Sequence, residues 1–251
     1  KLNLDWNIDI YSWNKANNYE KNHKFKTSYS TFIREELLLK IFKGKKDKNV
    51  LEVWVWTWYF TAIYAPMVKG VLANELVEDF KDIFFKNNKS SNITLLNANI
   101  HNFSNDQEFD YILFLSSLHH IPNRGILFKK LDKLLSKWWK IIIVEPHHNI
   151  VRMIDVIIKC IFRFFPKWDQ HKIERWVWHD FVTYWEIKSY LKWTNLKVIK
   201  YNTFTNIIFA IWQRFFYLNN RHRYKIESVV WKIPIIKYFQ QEIYLEIQKE
   251  Y

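Results

Sequence analysis

The sequence predicts an α/β fold with a mostly parallel sheet, and three observations carry that expectation. Short apolar runs recur at residues 50–53, 71–74, 93–96, 111–115 and 141–144, the last nearly all β-branched as in a strand covered on both faces. Segments of helical apolar spacing separate them, which implies βαβ units. The 251 residues are 49% hydrophobic and 25% charged, enough to bury a core and to exclude a disordered polymer.

Residues 1–30 are polar and aromatic with little periodicity. A helix is expected over 29–42, N-capped by Ser30 or Thr31, with Phe32, Ile33, Leu37, Leu38, Ile41 and Phe42 on one side and Gly44 ending it. The first strand, 50–53, leads to a helix at 59–68. The second strand, 71–74, ends at Glu75 and leads to a helix at 76–85. Strands at 93–96 and 111–115 follow, then a helix at 124–135 and the strand at 141–144. After Pro146 the alternation pauses. Residues 150–165 carry Arg152, Asp155, Lys159 and Arg163 along one helical stripe, and these charges argue against a transmembrane span. That segment reads as a lid or core helix, with an interfacial amphipathic helix as the other option. A helix at 184–192, a strand at 196–201, an apolar helix at 204–218 and a final strand at 243–248 complete seven strands.

Two counts are abnormal. There are 3 glycines and 14 tryptophans, where average usage of about 7% glycine predicts roughly 17 or 18. The tryptophans stand where glycine is expected. Trp138 and Trp139 precede a strand at a helix end, Trp193 follows a helix, and Trp176 and Trp178 lie in a polar loop-like stretch. Glycine suits such places because it reaches positive φ without a Cβ clash; tryptophan has no such advantage. The pattern is what results when UGA codons meaning glycine are translated as tryptophan, and the Lys, Asn, Ile, Phe and Tyr richness suits an A/T-rich genome. UGG codons at positions 54, 56, 58, 138 and 139 would contradict it. The rival is a genuinely tryptophan-rich protein.

Residues 49–61 read N-V-L-E-V-W-V-W-T-W-Y-F-T. With glycine at 54, 56 and 58 this becomes a strand, an acidic residue and a G-x-G-x-G loop. Further along stand Glu75 at a strand end, the segment F-D-Y-I-L-F-L-S-S-L-H-H-I-P at 109–122, and L-S-K-W-W-K-I-I-I-V-E-P at 135–146. In this order, over about residues 49–146, they resemble the class I S-adenosyl-L-methionine (SAM) methyltransferases. The resemblance implies a Rossmann-like seven-stranded, mostly parallel sheet with helices on both faces and an antiparallel last strand. It implies one methyltransferase domain over 1–251: a helical cap (1–48), a SAM-binding core (49–146), a lid-like insertion (147–183) and a part completing the sheet (184–251).

The implied cofactor is S-adenosyl-L-methionine, bound by Glu52, Trp54, Trp56, Thr57, Trp58, Glu75, Asn99, Ile100 and Ser116. Glu75 would take the ribose hydroxyls, and Asn99 stands where the family usually has aspartate. Methyl transfer from a sulfonium needs chiefly proximity and alignment, with a base only if the acceptor must lose a proton. His119, His120 and His147 are the candidate catalytic residues, with His148 beside them, though each could equally be a packing residue. The paired histidines lack the carboxylate or cysteine spacing of a metal site, so no metal is expected.

The expected acceptor is a small or lipid-like molecule, given the apolar 150–165 and 204–218 segments. A nucleic-acid methyltransferase is the alternative. The net charge of +13 allows it, but codon bias inflates lysine, and no N/D-P-P-Y/F motif follows the fourth strand. Taken literally, the tryptophans could form an aromatic-stripe binding module without catalysis, and three indoles in the loop would obstruct the donor pocket. The expected location is cytoplasmic: Cys160 is the single cysteine, as suits a reducing compartment. Peripheral membrane contact through 150–165 is the variant of that reading. The chain starts at Lys1 without a leader-like segment, which leaves room for a missing N-terminal piece.

Overall fold

The computed structural model describes residues 29–55, 59–76, 78, 80–103, 107–146, 182–206, 219–230 and 240–250. His147, His148, Trp56, Thr57, Trp58, Trp176, Trp178 and the 150–165 helix expected above lie outside the described residues. The elements are α1 (Tyr29–Phe42), β1 (Asn49–Val53), α2 (Tyr59–Tyr64), β2 (Gly70–Glu75), α3 (Phe80–Asn87), β3 (Ile93–Asn97), β4 (Phe109–Leu115), α4 (Arg124–Leu134), β5 (Leu135–Pro146), α5 (Tyr184–Leu191), β6 (Leu196–Asn206), α6 (Asn220–Val230) and β7 (Gln240–Lys249).

Seven strands form one sheet in the order β3-β2-β1-β4-β5-β7-β6. The five strands β1–β5 pair in parallel, while β7 runs antiparallel to both β5 and β6. This is the expected mostly parallel sheet with an antiparallel last strand. Alternation along the central strands sends Leu51, Ile112, Phe114, Ile141, Ile143 and Leu245 to one face. There they pack on Leu127 and Leu131 of α4 and Ile187 of α5. Val50, Leu113, Ile142 and Val144 take the other face, with Leu38 and Phe42 of α1 and Phe60 and Tyr64 of α2. Residues 141–144 are buried on both sides, which is why they read as one apolar run.

Several expectations shift. Ser30 and Thr31 lie inside α1 rather than capping it, and the Ser30 hydroxyl donates to Glu242. Helix α3 runs Phe80–Asn87 rather than 76–85, and the Leu76 N–H is held by the Glu75 carboxylate (2.9 Å). The helix expected from 204 is overturned at its start. Phe204 and Asn206 continue β6, paired with Glu242 and Gln240 of β7, which offers their backbone a ladder; residues 207–218 lie outside the described residues. Helix α6 was not anticipated. Its inward face holds a buried Arg223–Glu227 pair (2.7 Å) four residues apart, with Arg223 over the Tyr29 ring, so apolar periodicity is absent.

Polar ties hold the remaining edges. Glu246 on β7 receives Lys140 (2.6 Å) from β5 and Lys200 (2.9 Å) from β6. Burial alone would raise its pKa, but hydrogen bonds from Lys140, Tyr244 and Lys200 hold it at about 2. Helix α5 opens on a capping box: Thr183 accepts from the Glu186 N–H (3.1 Å), and the Glu186 carboxylate accepts from the Thr183 N–H (3.4 Å). Thr183→Ala is expected to lower stability by about 1 kcal/mol in chemical denaturation; an unchanged midpoint would show that the cap contributes nothing.

Candidate functional site

The strand order turns back between β1 and β4, and open α/β sheets form their ligand crevice at the carboxyl ends of the strands beside such a point. The segments at those ends converge here: Val53 and Trp54 after β1, Asn74 and Leu76 at the end of β2, Ala98 to His101 after β3, and Ile121 with Pro122 beyond β4. Asn74 ties two of them together, its amide donating to Ala98 O at 2.7 Å while its own carbonyl accepts from the Val55 N–H at 3.0 Å. His101 reaches Pro122 O at 2.9 Å through Nε2, closing the far side.

Trp54 is the anomaly of this crevice. Its φ is +60°, a left-handed conformation in which a bulky side chain is an outlier, and its indole is buried, 6% exposed, with its ring 5.6 Å from that of His120. The space left among these segments is only about 10 Å³, room for a single water.

Trp138 also has positive φ, +70°, and is 68% exposed. It lies where β5 bulges, between the pairings Phe109–Leu135 and Tyr111–Lys140, rather than in a loop before the strand. Trp139 and Trp193 do not share that backbone: positive φ outside glycine falls on Trp54, Ser116, Asn123 and Trp138 among the described residues. The expected glycine-like cap at Trp193 is therefore not found. Helix α5 ends instead on Lys192 in right-handed conformation.

The other expected site residues divide. Asn99 and Ile100 line the crevice with Trp54. Glu75, 1% exposed, sits at the tip of β2, its carboxylate accepting the Leu76 N–H. Ser116, at φ +58°, turns the chain after β4, its N–H bonded to Val144 O at 2.8 Å. Glu52 faces α2 instead, accepting from Thr61 (2.6 Å) and Tyr64 (2.7 Å). Burial pushes its carboxyl up to about 7, against the opposing pull of those two hydroxyls.

His119 and His120 lie in the turn after β4, their rings 3.8 Å apart. The sequence reading missed Glu145, which is wholly buried and accepts from the N–H groups of Ser117 and Leu118 and meets Nδ1 of His119, each at 2.7 Å. Its place in the E-P pair was visible; its partners were not, because they lie 26 to 28 residues away.

No family model and no curated protein matches the chain. Solved structures do. The N-methyltransferase NodS of Bradyrhizobium japonicum, in complex with S-adenosyl-L-homocysteine (SAH), superposes with a TM-score of 0.56 at 13% identity, covering 91% of this chain and 89% of its own. A candidate methyltransferase of Haloferax volcanii, in complex with the Trm112 activator, gives 0.61 at 9% identity and 96% coverage of both chains. Coclaurine N-methyltransferase, bound to N-methylheliamine and SAH, gives 0.56 at 11% identity, covering 87% of this chain and 70% of its own. At these identities the likeness shows the fold, which is the Rossmann-like fold of class I methyltransferases.

Two outcomes follow from this geometry. A side chain in left-handed backbone costs roughly 1–2 kcal/mol, only partly offset by the extra freedom of an unfolded glycine. Trp138→Gly should therefore stabilise the protein by about 0.5–1 kcal/mol in denaturant titration, whereas Trp138→Ala should not; equal effects would contradict backbone strain. Glu52 titrates near 7 when folded against an ordinary 4.5, so it binds more protons in the folded state. Its contribution is fully present below about 4.5 and is lost as pH rises through about 7, on the order of 3 kcal/mol. Glu52→Gln should flatten that part of the stability–pH curve.

Proposed function

We propose that the chain is a SAM-dependent methyltransferase acting on a small-molecule or lipid-like acceptor, and that residue 54 decides whether the donor can enter. The observation that carries this reading is the crevice at the ends of β1, β2 and β3. The Trp54 backbone and the Asn99–Ile100 segment lie at the carboxyl ends of the strands, with Glu75 at the tip of β2, the side where open α/β sheets bind ligands. The resemblance over 49–146 and the SAH bound to NodS support it.

The crevice as it stands does not fit the donor. Between Trp54 and the Asn99–Ile100 segment about 10 Å³ is free, far less than a nucleoside occupies. The positive φ at Trp54 is the conformation glycine adopts without strain. This supports glycine as the residue the loop was built for, and the UGA-as-glycine reading of the gene with it. When bound, SAM would supply an already activated methyl group; the chain would supply position and a dry site.

The acceptor reading rests on chemistry around the core. The turn after β4 is Ser116-Ser-Leu-His119 rather than a base-binding motif, which favours a small or lipid-like acceptor over nucleic acid. No helix among the described residues is long and apolar enough to cross a membrane. The cytoplasmic location expected above stays part of this proposal.

Titration calorimetry with SAM and SAH tests the reading. The parent chain should give no binding heat, while a variant carrying Trp54→Gly, Trp56→Gly and Trp58→Gly should bind both at least about tenfold more tightly, a gain of about 1.4 kcal/mol or more. Binding by the parent as tight as by the variant, or no binding by the variant, would overturn it.

A further inference from the structure

The sheet face beneath α1 carries a second opening, away from the crevice at the strand ends. Strand alternation brings Tyr111, Lys140, Ile142, Tyr244, Glu246 and Lys200 to it. Over them, α1 supplies Ile33, Leu37 and Ile41 at four-residue spacing, with Glu36 and Lys40 exposed at the rim. Lys45, in the connector after α1, and Phe204 of β6 add to the lining. The half-open space measures about 470 Å³, inside the roughly 300–1,000 Å³ of small-molecule sites. Among the described residues it shares no lining side chain with the crevice beside Trp54.

The lining combines two chemistries. Ile33, Leu37, Ile41, Ile142 and Phe204 offer an apolar surface, with tyrosine rings beside it. Four ammonium groups, those of Lys40, Lys45, Lys140 and Lys200, meet two carboxylates, Glu36 and Glu246, among the described residues. Glu246 is already satisfied: it accepts from Lys140 (2.6 Å), Lys200 (2.9 Å) and the Tyr244 hydroxyl (2.6 Å). Lys45 stands over the Trp139 ring, 5.6 Å from its centroid, and Lys40 has no ion pair among the described residues. The surplus charge is positive. An anion can use it without displacing Glu246, because each lysine ammonium carries three N–H donors and Glu246 takes one from each of its pair.

We propose that this cleft is a ligand site for an amphipathic anion of the fatty-carboxylate type. The acidic headgroup lies among the lysines, and the apolar body lies along Ile33, Leu37 and Ile41. Charge complementarity selects the headgroup and apolar burial holds the body. The site is one of binding alone and is independent of donor entry at the Trp54 crevice.

Titration calorimetry of the parent chain with dodecanoate, kept below its micelle-forming concentration, tests the site. Acetate keeps the headgroup and drops the body; dodecyltrimethylammonium keeps the body and reverses the charge. Dodecanoate should bind at one site per chain, at least about tenfold more tightly than either comparator. No dodecanoate binding, or equal binding of either comparator, would overturn the proposal. Lys40→Glu with Lys45→Glu should weaken dodecanoate binding roughly tenfold or more. Lys86→Glu with Lys133→Glu makes the same charge change on α3 and α4, outside the cleft, and should leave affinity within about twofold. Equal losses in the two pairs would show attraction to the overall positive charge and overturn the site. Asn202→Trp fills the cleft from β6 with a residue suited to a strand and should block binding; unchanged affinity there would overturn the site as well. The parent's ranking of the three ligands decides the matter if a variant misfolds.

Discussion

The whole site depends on one backbone constraint: the chain must leave β1 in left-handed conformation at position 54. Val55 is tied at once to Asn74 O of β2, so the segment cannot swing away from the sheet. The crevice is therefore defined on one side by main chain pressed against β2, as a ligand approached by backbone requires. Placing an indole on that backbone has two consequences. It strains the turn, and it fills the space between Val53 and the Asn99–Ile100 segment.

A comparable constraint operates on the other side of β1. The turn after β4 is not set by its own sequence propensities but by a buried carboxylate from β5 and a guanidinium from α4. Burying Glu145 without partners would be costly; two main-chain N–H groups and the His119 ring satisfy it. Arg124, itself buried, satisfies two carbonyls and reaches Glu186, which also closes the α5 capping box. Sheet, turn and the second-half helix α5 are thus joined by charged hydrogen bonds around His119.

Much of this was legible in the residues. Apolar runs at 50–53, 111–115 and 141–144 marked the central strands because those strands are buried on both faces. The glycine deficit marked position 54, and the backbone there has a glycine-like φ. What was illegible has a physical reason in each case. Helix α6 buries an Arg–Glu pair instead of an apolar stripe. The start of the expected 204–218 helix became strand because β7, remote in sequence, supplied a hydrogen-bonding partner. The Glu145 network joins residues far apart in the chain, and local spacing carries no trace of it. At Trp193, read as a glycine-like cap, the backbone does not adopt positive φ.

The central claim is that an open residue 54 turns this crevice into a donor site. A crystal structure of the variant with glycine at 54, 56 and 58, grown with SAH, tests it most directly. The account predicts the nucleoside seated between residue 54 and the Asn99–Ile100 segment, with its ribose against Glu75. An empty crevice in that variant, or SAH bound elsewhere on the molecule, would contradict it.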